Sequence, residues 1–365
     1  WFQLGCFSPI NRLHSSNSGF TSKEPWRYSR DARATMEAHL RLRHRLVPYL
    51  YTWARRSAAE GIGPVRPVYH DHPRELAAYE HRGSFYFGDL LVVPFTCRLD
   101  ETTGLGRELT WLPDGVWYDL PTGRRYEATT GGRGRMLSLS RPLDRIGVLA
   151  RAGSVIPLAG NLTEAAGDNP RELEIVVVPG GSGSFTLEED DGSAQPGEDR
   201  IARTHMALTW PEDEDGADVV LRIRLEGAAD VVPASRLVTV RLLAGRVTGA
   251  WLGVGERARR LATEEVSRDG FTLGAGTLVH LEELSRQDLI DGVQLVLRGT
   301  QHSPADWRNE VHTILDGARV EYMAKDLAWD AVQRGLSGTA LLGELEALGL
   351  PETLRAAVAE VLPHS

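Results

Sequence analysis

The spacing of apolar residues changes near residue 84, and this change constrains the fold more than any other feature of the sequence. Before it, the apolar residues of 31–60 recur at helical spacing. Beyond it, they form short runs cut by Gly, Pro and Asp, a pattern typical of antiparallel strands joined by hairpins. The runs are 85–87, 90–95, 108–112, 116–118 and 148–157. The chain therefore combines a helical N-terminal part with a β-rich continuation.

The N-terminal part is interpreted as the C-terminal remnant of a (β/α)8 barrel, covering residues 1–83. Residues 31–60 are predicted to form one long helix that Pro48 kinks or divides. Gly61 ends this helix, and residues 64–69 follow as a short buried strand. A helix followed by a strand is the repeating unit of such a barrel, in which functional groups collect at the C-terminal ends of the strands.

Two antiparallel, sandwich-like β-domains are predicted after this remnant. The first covers 84–159, where Pro-Asp-Gly at 113–115 and Pro-Thr-Gly at 121–123 are turn signals. A linker at 160–170 opens the second, which covers 160–302.

The remaining residues, 303–365, are predicted to form a short helical segment. Ser303 is interpreted as a helix cap, with Pro304 in the first turn. An apolar stripe at helical spacing follows, at Val320, Met323, Leu327 and Ala331. This segment is expected either to pack on the second β-domain or to form a subunit interface in a possible homo-oligomer.

Composition argues against several kinds of partner. The net charge of −9 argues against nucleic acid, and no apolar run approaches the about 20 residues of a membrane span. The two cysteines, Cys6 and Cys97, provide neither a disulfide framework nor a metal motif, so no cofactor is predicted and a cytoplasmic setting is favoured. Because the chain opens without Met, a signal peptide upstream of Trp1, and therefore secretion, stays open.

The first 26 residues carry side chains suited to a sugar pocket. Trp1, Phe7 and Trp26 could pack on the C–H face of a pyranose, while His14 and Arg12 could bind its hydroxyls. Residue types alone leave an alternative, in which the aromatic residues belong to the core and His14 has a structural role.

The order of the sequence motifs favours the sugar site. The chain opens on W-x-Q-x-G-x-F-S-P-x-x-R-x-H-S, and further motifs follow in a fixed order. They are K-E-P-W (23–26), L-R-x-R-L-x-P-Y-L-Y-T (42–52), G-P-V-R-P (63–67), F-G-D-L-L-V-V-P (87–94), L-P-x-G-x-W-Y-D (112–119), R-A-G-S-V-I-P (151–157) and E-D-D-G (189–192). This colinear set resembles glycoside hydrolase family 31, which includes α-glucosidases, α-xylosidases and related transglycosylases.

The resemblance implies roles for three residues of the first motifs. His14 would hydrogen-bond the sugar in the −1 subsite, and Arg12 and Trp26 would shape the rim of that subsite. It also implies a retaining mechanism whose nucleophilic and acid/base aspartates both lie upstream of Trp1. No catalytic residue is therefore assigned within this chain.

A search of the barrel remnant for a substitute pair of carboxylates gives only weak candidates. Glu24, Asp31 and Asp71 are the acidic residues that could lie near the rim. Glu24 and Asp31 are more simply interpreted as a loop ion pair and a helix cap. The chain is thus predicted to supply contacts to a sugar without the groups that cleave it.

The resulting hypothesis is the C-terminal part of a retaining α-glycosidase that removes terminal α-linked glucose or xylose from oligosaccharides. Its expected partner is an oligosaccharide or α-glucoside. Two alternatives stay open: a non-catalytic β-rich module for carbohydrate binding or scaffolding, and an α-transglycosylase.

Two further motifs raise the question of metals. His70 and His72 would lie on the same face of a strand, but no third zinc ligand accompanies them, so support of the sugar site or a structural role are the alternatives. The four carboxylates of 188–191 could bind calcium, but they lack the spacing of an EF-hand. A hairpin turn that closes on Asp191 and Gly192 is the alternative, and the family resemblance favours it.

Overall fold

The computed structural model describes residues 1–129, 131–211, 218–253, 255, 258–268 and 272–363. Residues 1–60 form helices and no strand. These are α1 (Phe2–Cys6), a 3-10 turn (Pro25–Arg27), α2 (Arg30–Arg45) and α3 (Val47–Glu60).

Pro48 divides the predicted long helix into two helices, which is one of the two outcomes expected from the sequence. The break lies at Leu46, so that Pro48 falls in the first turn of α3, where its missing N–H removes no intrahelical hydrogen bond. Ser29 caps α2 by accepting a hydrogen bond from the Ala32 N–H at 3.4 Å. Gly61 ends α3 with φ of 74°, a left-handed conformation that favours glycine.

The next strand does not belong to a barrel. The chain continues as β1 (Val65–Pro67), α4 (Val68–Asp71) and α5 (Leu76–Glu80). β1 pairs antiparallel with β2 (Phe85–Phe87), so the prediction that residues 64–69 form a barrel strand is wrong. This segment is instead the edge of the first β-sheet, and the chain turns helical directly after Pro67.

That sheet is the centre of the proximal β-domain, the name used here for the β-rich part up to β8. Its further strands are β3 (Leu90–Val93), β4 (Gly106–Leu112), β5 (Val116–Asp119), β6 (Arg125–Glu127), β7 (Arg135–Arg141) and β8 (Gly147–Arg151). The sheet order is β1-β2-β3-β8-β5-β6, and β4 and β7 form a separate antiparallel pair. β3 is buried along its whole length, which explains its continuous apolar sequence.

The distal β-domain contains a five-stranded and a six-stranded sheet. Its elements are β9 (Val155–Ala159), β10 (Glu172–Val177), β11 (Gly183–Glu189), β12 (Ala202–Thr209), β13 (Val219–Gly227), β14 (Ser235–Leu243), β15 (Gly245–Arg246), β16 (Gly249–Leu252), β17 (Arg259–Leu261), β18 (Thr263–Val266), β19 (Gly276–Ser285), α6 (Arg286–Asp291), β20 (Val293–Arg298) and β21 (Gln301–His302). The sheet orders are β18-β19-β14-β10-β9 and β11-β12-β13-β20-β16-β17, with β15 and β21 as a separate pair. Apolar residues of both sheets share one core, among them Val177, Leu187, Ile223, Val240 and Leu295.

One pairing departs from the predicted antiparallel arrangement. β10 pairs in parallel with β14, from Glu172 opposite Leu237 to Val177 opposite Leu242. A parallel pair needs a long crossover connection. Here the crossover is the β11–β13 meander, which lies in the other sheet.

Four helices complete the described chain: α7 (Trp307–Gly317), α8 (Tyr322–Gln333), α9 (Gly338–Ala347) and α10 (Glu352–Val361). They have an apolar core of their own. Asp306, rather than Ser303, caps α7, and its carboxylate accepts from the Asn309 N–H at 3.2 Å. None of the helices within the described ranges is long and apolar enough to cross a membrane.

The helical segment docks on the proximal β-domain, so the expected packing on the second β-domain is wrong. The Arg319 N–H donates to the Thr102 carbonyl at 2.6 Å, and the Thr353 hydroxyl donates to Asp100 at 3.2 Å. Glu360 of α10 also contacts that domain, where the hydroxyl of buried Tyr126 donates to it at 2.8 Å.

Candidate functional site

The predicted sugar-binding residues lie on the surface segment that joins α1 to α2. Arg12 and His14 are exposed in an irregular stretch, and Trp26 is 65% exposed on the 3-10 turn. All three side chains are therefore accessible to a ligand. The described residues do not enclose them in a pocket.

Arg43 of α2 holds the start of this segment. Its guanidinium donates to the carbonyl oxygens of Cys6 at 3.1 Å, Ser8 at 2.5 Å and Pro9 at 2.8 Å. Hydrogen bonds from a charged donor are stronger than neutral ones, so they fix the backbone that leads towards His14. Arg43 belongs to the second long sequence motif, yet the sequence alone did not reveal this supporting role.

The aromatic residues of the first 26 positions differ in exposure. Phe7 is 1% exposed and packs edge to face on Phe87, with ring centroids 5.9 Å apart, so it belongs to the core. Trp1, Phe20 and Trp26 are largely exposed instead.

The three candidate carboxylates, Glu24, Asp31 and Asp71, lie on different parts of the chain and have different hydrogen-bond partners. Glu24 accepts a hydrogen bond from the Ser22 hydroxyl, and Asp31 lies in the first turn of α2. Asp71 accepts from Arg66 at 2.8 Å and lies 2.7 Å from the Nδ1 atom of His70. Partial burial acts to raise the pKa of Asp71, but these hydrogen bonds hold that pKa below its usual value. Asp71 is thus an anion fixed by arginine, unlike a proton-donating catalytic acid.

The two histidines do not share a strand face. His70 lies in α4 and His72 follows its last turn, so the strand argument for a zinc pair is wrong. The Nε2 atom of His72 lies 3.0 Å from the Tyr86 hydroxyl, and burial lowers its pKa. Across the residues that the structure describes, no group of three or more His, Cys, Asp or Glu side chains could hold a metal ion.

Arg66 joins several of the sequence motifs. It is buried, and its guanidinium lies over the rings of Trp53, at 4.9 Å, and Tyr86, at 5.6 Å. Besides Asp71, it donates to the Gly88 carbonyl at 3.1 Å. Arg66 therefore fastens β1 to the β2–β3 turn and to α3.

The acidic residues of 188–191 each pair with arginine. The pairs are Glu188 with Arg55 and Arg203, Glu189 with Arg236, Asp190 with Arg55, and Asp191 with Arg200. Arginines thus supply the positive charge that the calcium hypothesis assigned to a cation. β11 and β12 do form the predicted antiparallel hairpin, but residues 190–201 connect them, so the prediction that the turn closes on Asp191 and Gly192 is wrong.

These acidic residues anchor α3 to the distal β-domain. The Tyr51 hydroxyl donates to Asp190, and the Thr52 hydroxyl accepts from the Glu188 N–H at 3.0 Å. Arg55 donates to Glu188 at 2.9 Å. Two sequence motifs that are far apart along the chain, P-Y-L-Y-T and E-D-D-G, therefore meet in space.

Tyr51 and Asp190 should be energetically coupled. In a double-mutant cycle of Tyr51→Phe and Asp190→Ala, we expect a coupling free energy of about 1–2 kcal/mol, because each single change removes the same charge-assisted hydrogen bond. The measurement is urea unfolding of the four proteins. Tyr28→Phe, at an exposed tyrosine, is the control. A coupling near zero would show that this contact does not hold α3.

Comparison with known families decides the assignment. Residues 1–53 match the glycosyl hydrolases family 31 TIM-barrel domain, and residues 61–156 match the glycosyl hydrolase family 31 C-terminal domain. The resemblance to glycoside hydrolase family 31 is confirmed. The barrel match includes α1, α2 and the first half of α3, and the proximal β-domain lies within the residues that match the C-terminal domain.

Curated relatives and solved structures of family 31 agree with this assignment. The chain is 31% identical over 216 residues to an alpha-xylosidase of Saccharolobus solfataricus, covering 59% of this chain and 28% of that enzyme. It is 26% identical over 244 residues to the lysosomal alpha-glucosidase of Mus musculus, covering 62% and 25%. A family 31 dextranase of Flavobacterium johnsoniae, solved with isomaltotriose, shares the fold with a TM-score of 0.63 at 20% identity, covering 82% and 36%. The chain thus spans about a quarter to a third of these proteins.

Proposed function

We propose that this chain is the C-terminal part of a retaining α-glycosidase that removes terminal α-linked glucose or xylose from oligosaccharides. The observation that carries the proposal is the colinear match of two family 31 domains, with His14 exposed on the segment that follows α1. Relatives named as alpha-xylosidase and alpha-glucosidase support this pair of substrates.

Within the proposal, His14 hydrogen-bonds the sugar in the −1 subsite, and Arg12 and Trp26 form its rim. Such an enzyme needs two carboxyl groups about 5–5.5 Å apart, one as nucleophile and one as acid/base. Asp71 cannot supply the acid because its carboxyl is held ionised by Arg66. The proposal assigns the two catalytic aspartates to a region that precedes Trp1, and the small share of each relative that this chain covers supports that assignment.

Hydrolysis of aryl α-glucoside and aryl α-xyloside tests the proposal. We expect turnover by a protein that is extended upstream through the complete barrel, and none by residues 1–365 alone, because only the extended protein has the carboxyl pair. The ratio of kcat/KM for the two substrates identifies the sugar.

Three other outcomes would contradict the proposal. Turnover by residues 1–365 alone would mean that the carboxylates lie within the chain, and Glu24, Asp31 and Asp71 would be mutated first. Inactivity of both proteins would favour the non-catalytic β-rich module. Transfer of the sugar to a second carbohydrate, in excess over water, would identify an α-transglycosylase.

A further inference from the structure

A polar cleft of about 380 Å³ lies where the proximal and distal β-domains meet. The β2–β3 turn and the residues that end and follow β8 line one side of it, and the start of β11 lines the other. Ligand pockets commonly have volumes of about 300–1,000 Å³, so this cleft is large enough for a small ligand. The residues that line the cleft lie between Tyr49 and Ser184 in the sequence, so the segment that carries His14 is not part of the cleft.

The backbone around Asp89 is fixed at the wall of this cleft. The Asp89 N–H donates to the Tyr49 hydroxyl at 2.6 Å, and the Gly88 N–H donates to the Pro64 carbonyl at 2.7 Å. Gly88 has φ of 60°, and a Cβ atom there would collide with Tyr49 and Trp53. The turn is thus held by glycine and by hydrogen bonds, and it presents the Asp89 side chain to the cleft.

The carboxyl group of Asp89 forms no hydrogen bond with the residues that the structure describes. Solvent reaches this group, but protein surrounds it on several sides. This enclosure raises the pKa of Asp89, against the opposing effect of Arg56 and Arg66. A polar group in a fixed turn without a protein partner is available to a ligand.

Arg151 provides a complementary group in the same cleft. It ends β8, is exposed, and forms no ion pair with any side chain in the described ranges. It is therefore not neutralised by Asp89 across the cleft. The cleft is also lined by the Arg66–Asp71 ion pair and by the polar side chains of His72, Ser154 and Ser184.

We propose that this cleft is a second carbohydrate-binding site, distinct from the segment of His14. Asp89 accepts hydrogen bonds from sugar hydroxyls and Arg151 donates to them. A hydroxyl group is both a donor and an acceptor, so neighbouring hydroxyls of one pyranose satisfy the carboxyl and the guanidinium together. The class of ligand rests on the proposed function, whereas the site rests on the geometry of the cleft.

Occupancy of this site would join the two β-domains. Asp89 and Arg151 belong to the proximal domain, and Ser184 belongs to the distal one. A ligand that binds only the folded junction stabilises it by mass action. Thermal stability is therefore a second readout, independent of any hydrolysis.

Titration of residues 1–365 with maltose and with methyl α-xyloside tests the proposal by saturation-transfer NMR and by thermal denaturation. We expect saturable binding of at least one sugar in the millimolar range, and a higher Tm with sugar. Asp89→Ala and Arg151→Gln should each weaken binding by about ten- to hundred-fold, because each removes charge-assisted hydrogen bonds. Asp168→Asn and Arg133→Gln, at exposed positions, are matched controls that should bind as the wild type does.

Different results would overturn the second site and the proposed enzymatic function. Sugar binding that disappears in His14→Ala and persists in Asp89→Ala would overturn the second site. Absence of saturable binding of both sugars by the folded wild-type chain would overturn it as well. Inactivity of the upstream-extended protein towards aryl glycosides would count against the proposed function and would not change the result for the cleft.

Discussion

Replacing Glu360 with alanine should lower the free energy of unfolding by about 3–5 kcal/mol, because it removes one partner from a buried network of charges. Glu360 is 7% exposed. Its carboxylate accepts from Arg141 at 2.5 Å, from the Tyr126 hydroxyl at 2.8 Å and from the Ser140 N–H at 2.5 Å. Without Glu360, Arg141 would keep Asp119 as its only carboxylate partner in the described structure, at 3.1 Å.

Urea unfolding followed by tryptophan fluorescence measures this loss. Glu352→Ala is the matched control on the same helix, since the Glu352 side chain is 81% exposed and 3.9 Å from its partner, Arg107. We expect that control to change stability by less than about 0.5 kcal/mol. Glu360→Gln retains the shape of the side chain without its charge. Its loss of stability should lie between those of Glu352→Ala and Glu360→Ala. A loss below about 1 kcal/mol for Glu360→Ala would mean that water replaces the missing carboxylate.

Replacing His14 with alanine should lower kcat/KM for an aryl α-glucoside by about ten- to thousand-fold in the protein with the complete barrel. The proposed hydrogen bond from His14 to the sugar would strengthen as charge develops in the transition state, so its loss should reduce kcat as well as affinity. Steady-state kinetics separates these effects. His280→Ala, at an exposed histidine of β19, is the control and should change kcat/KM less than twofold. Unchanged kinetics in His14→Ala would exclude this role.

Local sequence signals predicted the elements better than their partners. Pro48 and Gly61 marked helix boundaries because they restrict or free the backbone at one residue. The parallel pairing of β10 with β14 has no comparable local signal, because it depends on where the intervening strands pack. The continuous apolar run of β3 indicated burial without indicating its neighbours.

The C-terminal helices show how tertiary packing selects a helix face. The predicted stripe of α8 is wrong at Met323 and Leu327, which are 74% and 46% exposed. The buried face carries Ala328 and Val332 instead, along with Ala331 of the predicted stripe. Small side chains permit close approach of neighbouring helices, so the face with less apolar volume is the one that packs.

The candidate sites differ in how far the sequence revealed them. The resemblance supplied His14, Arg12 and Trp26, and their roles stay predictions. The cleft of Asp89 and Arg151 was missed because these two residues come from different motifs and only the folded sheet brings them together. The available signal was Gly88 next to an acidic residue, a position where a positive φ fixes the direction of the following side chain.

The Glu360 network sets an order for the assembly of the chain during synthesis. The Glu360 carbonyl accepts from Arg124, 236 residues earlier in the sequence. At about 5–20 residues per second, a ribosome makes residue 360 roughly 10–50 s after residue 124. Over that interval the proximal β-domain holds Arg124 and Arg141 without their partners from the last helix. The nascent proximal domain therefore lacks these buried partners until α10 has been synthesised.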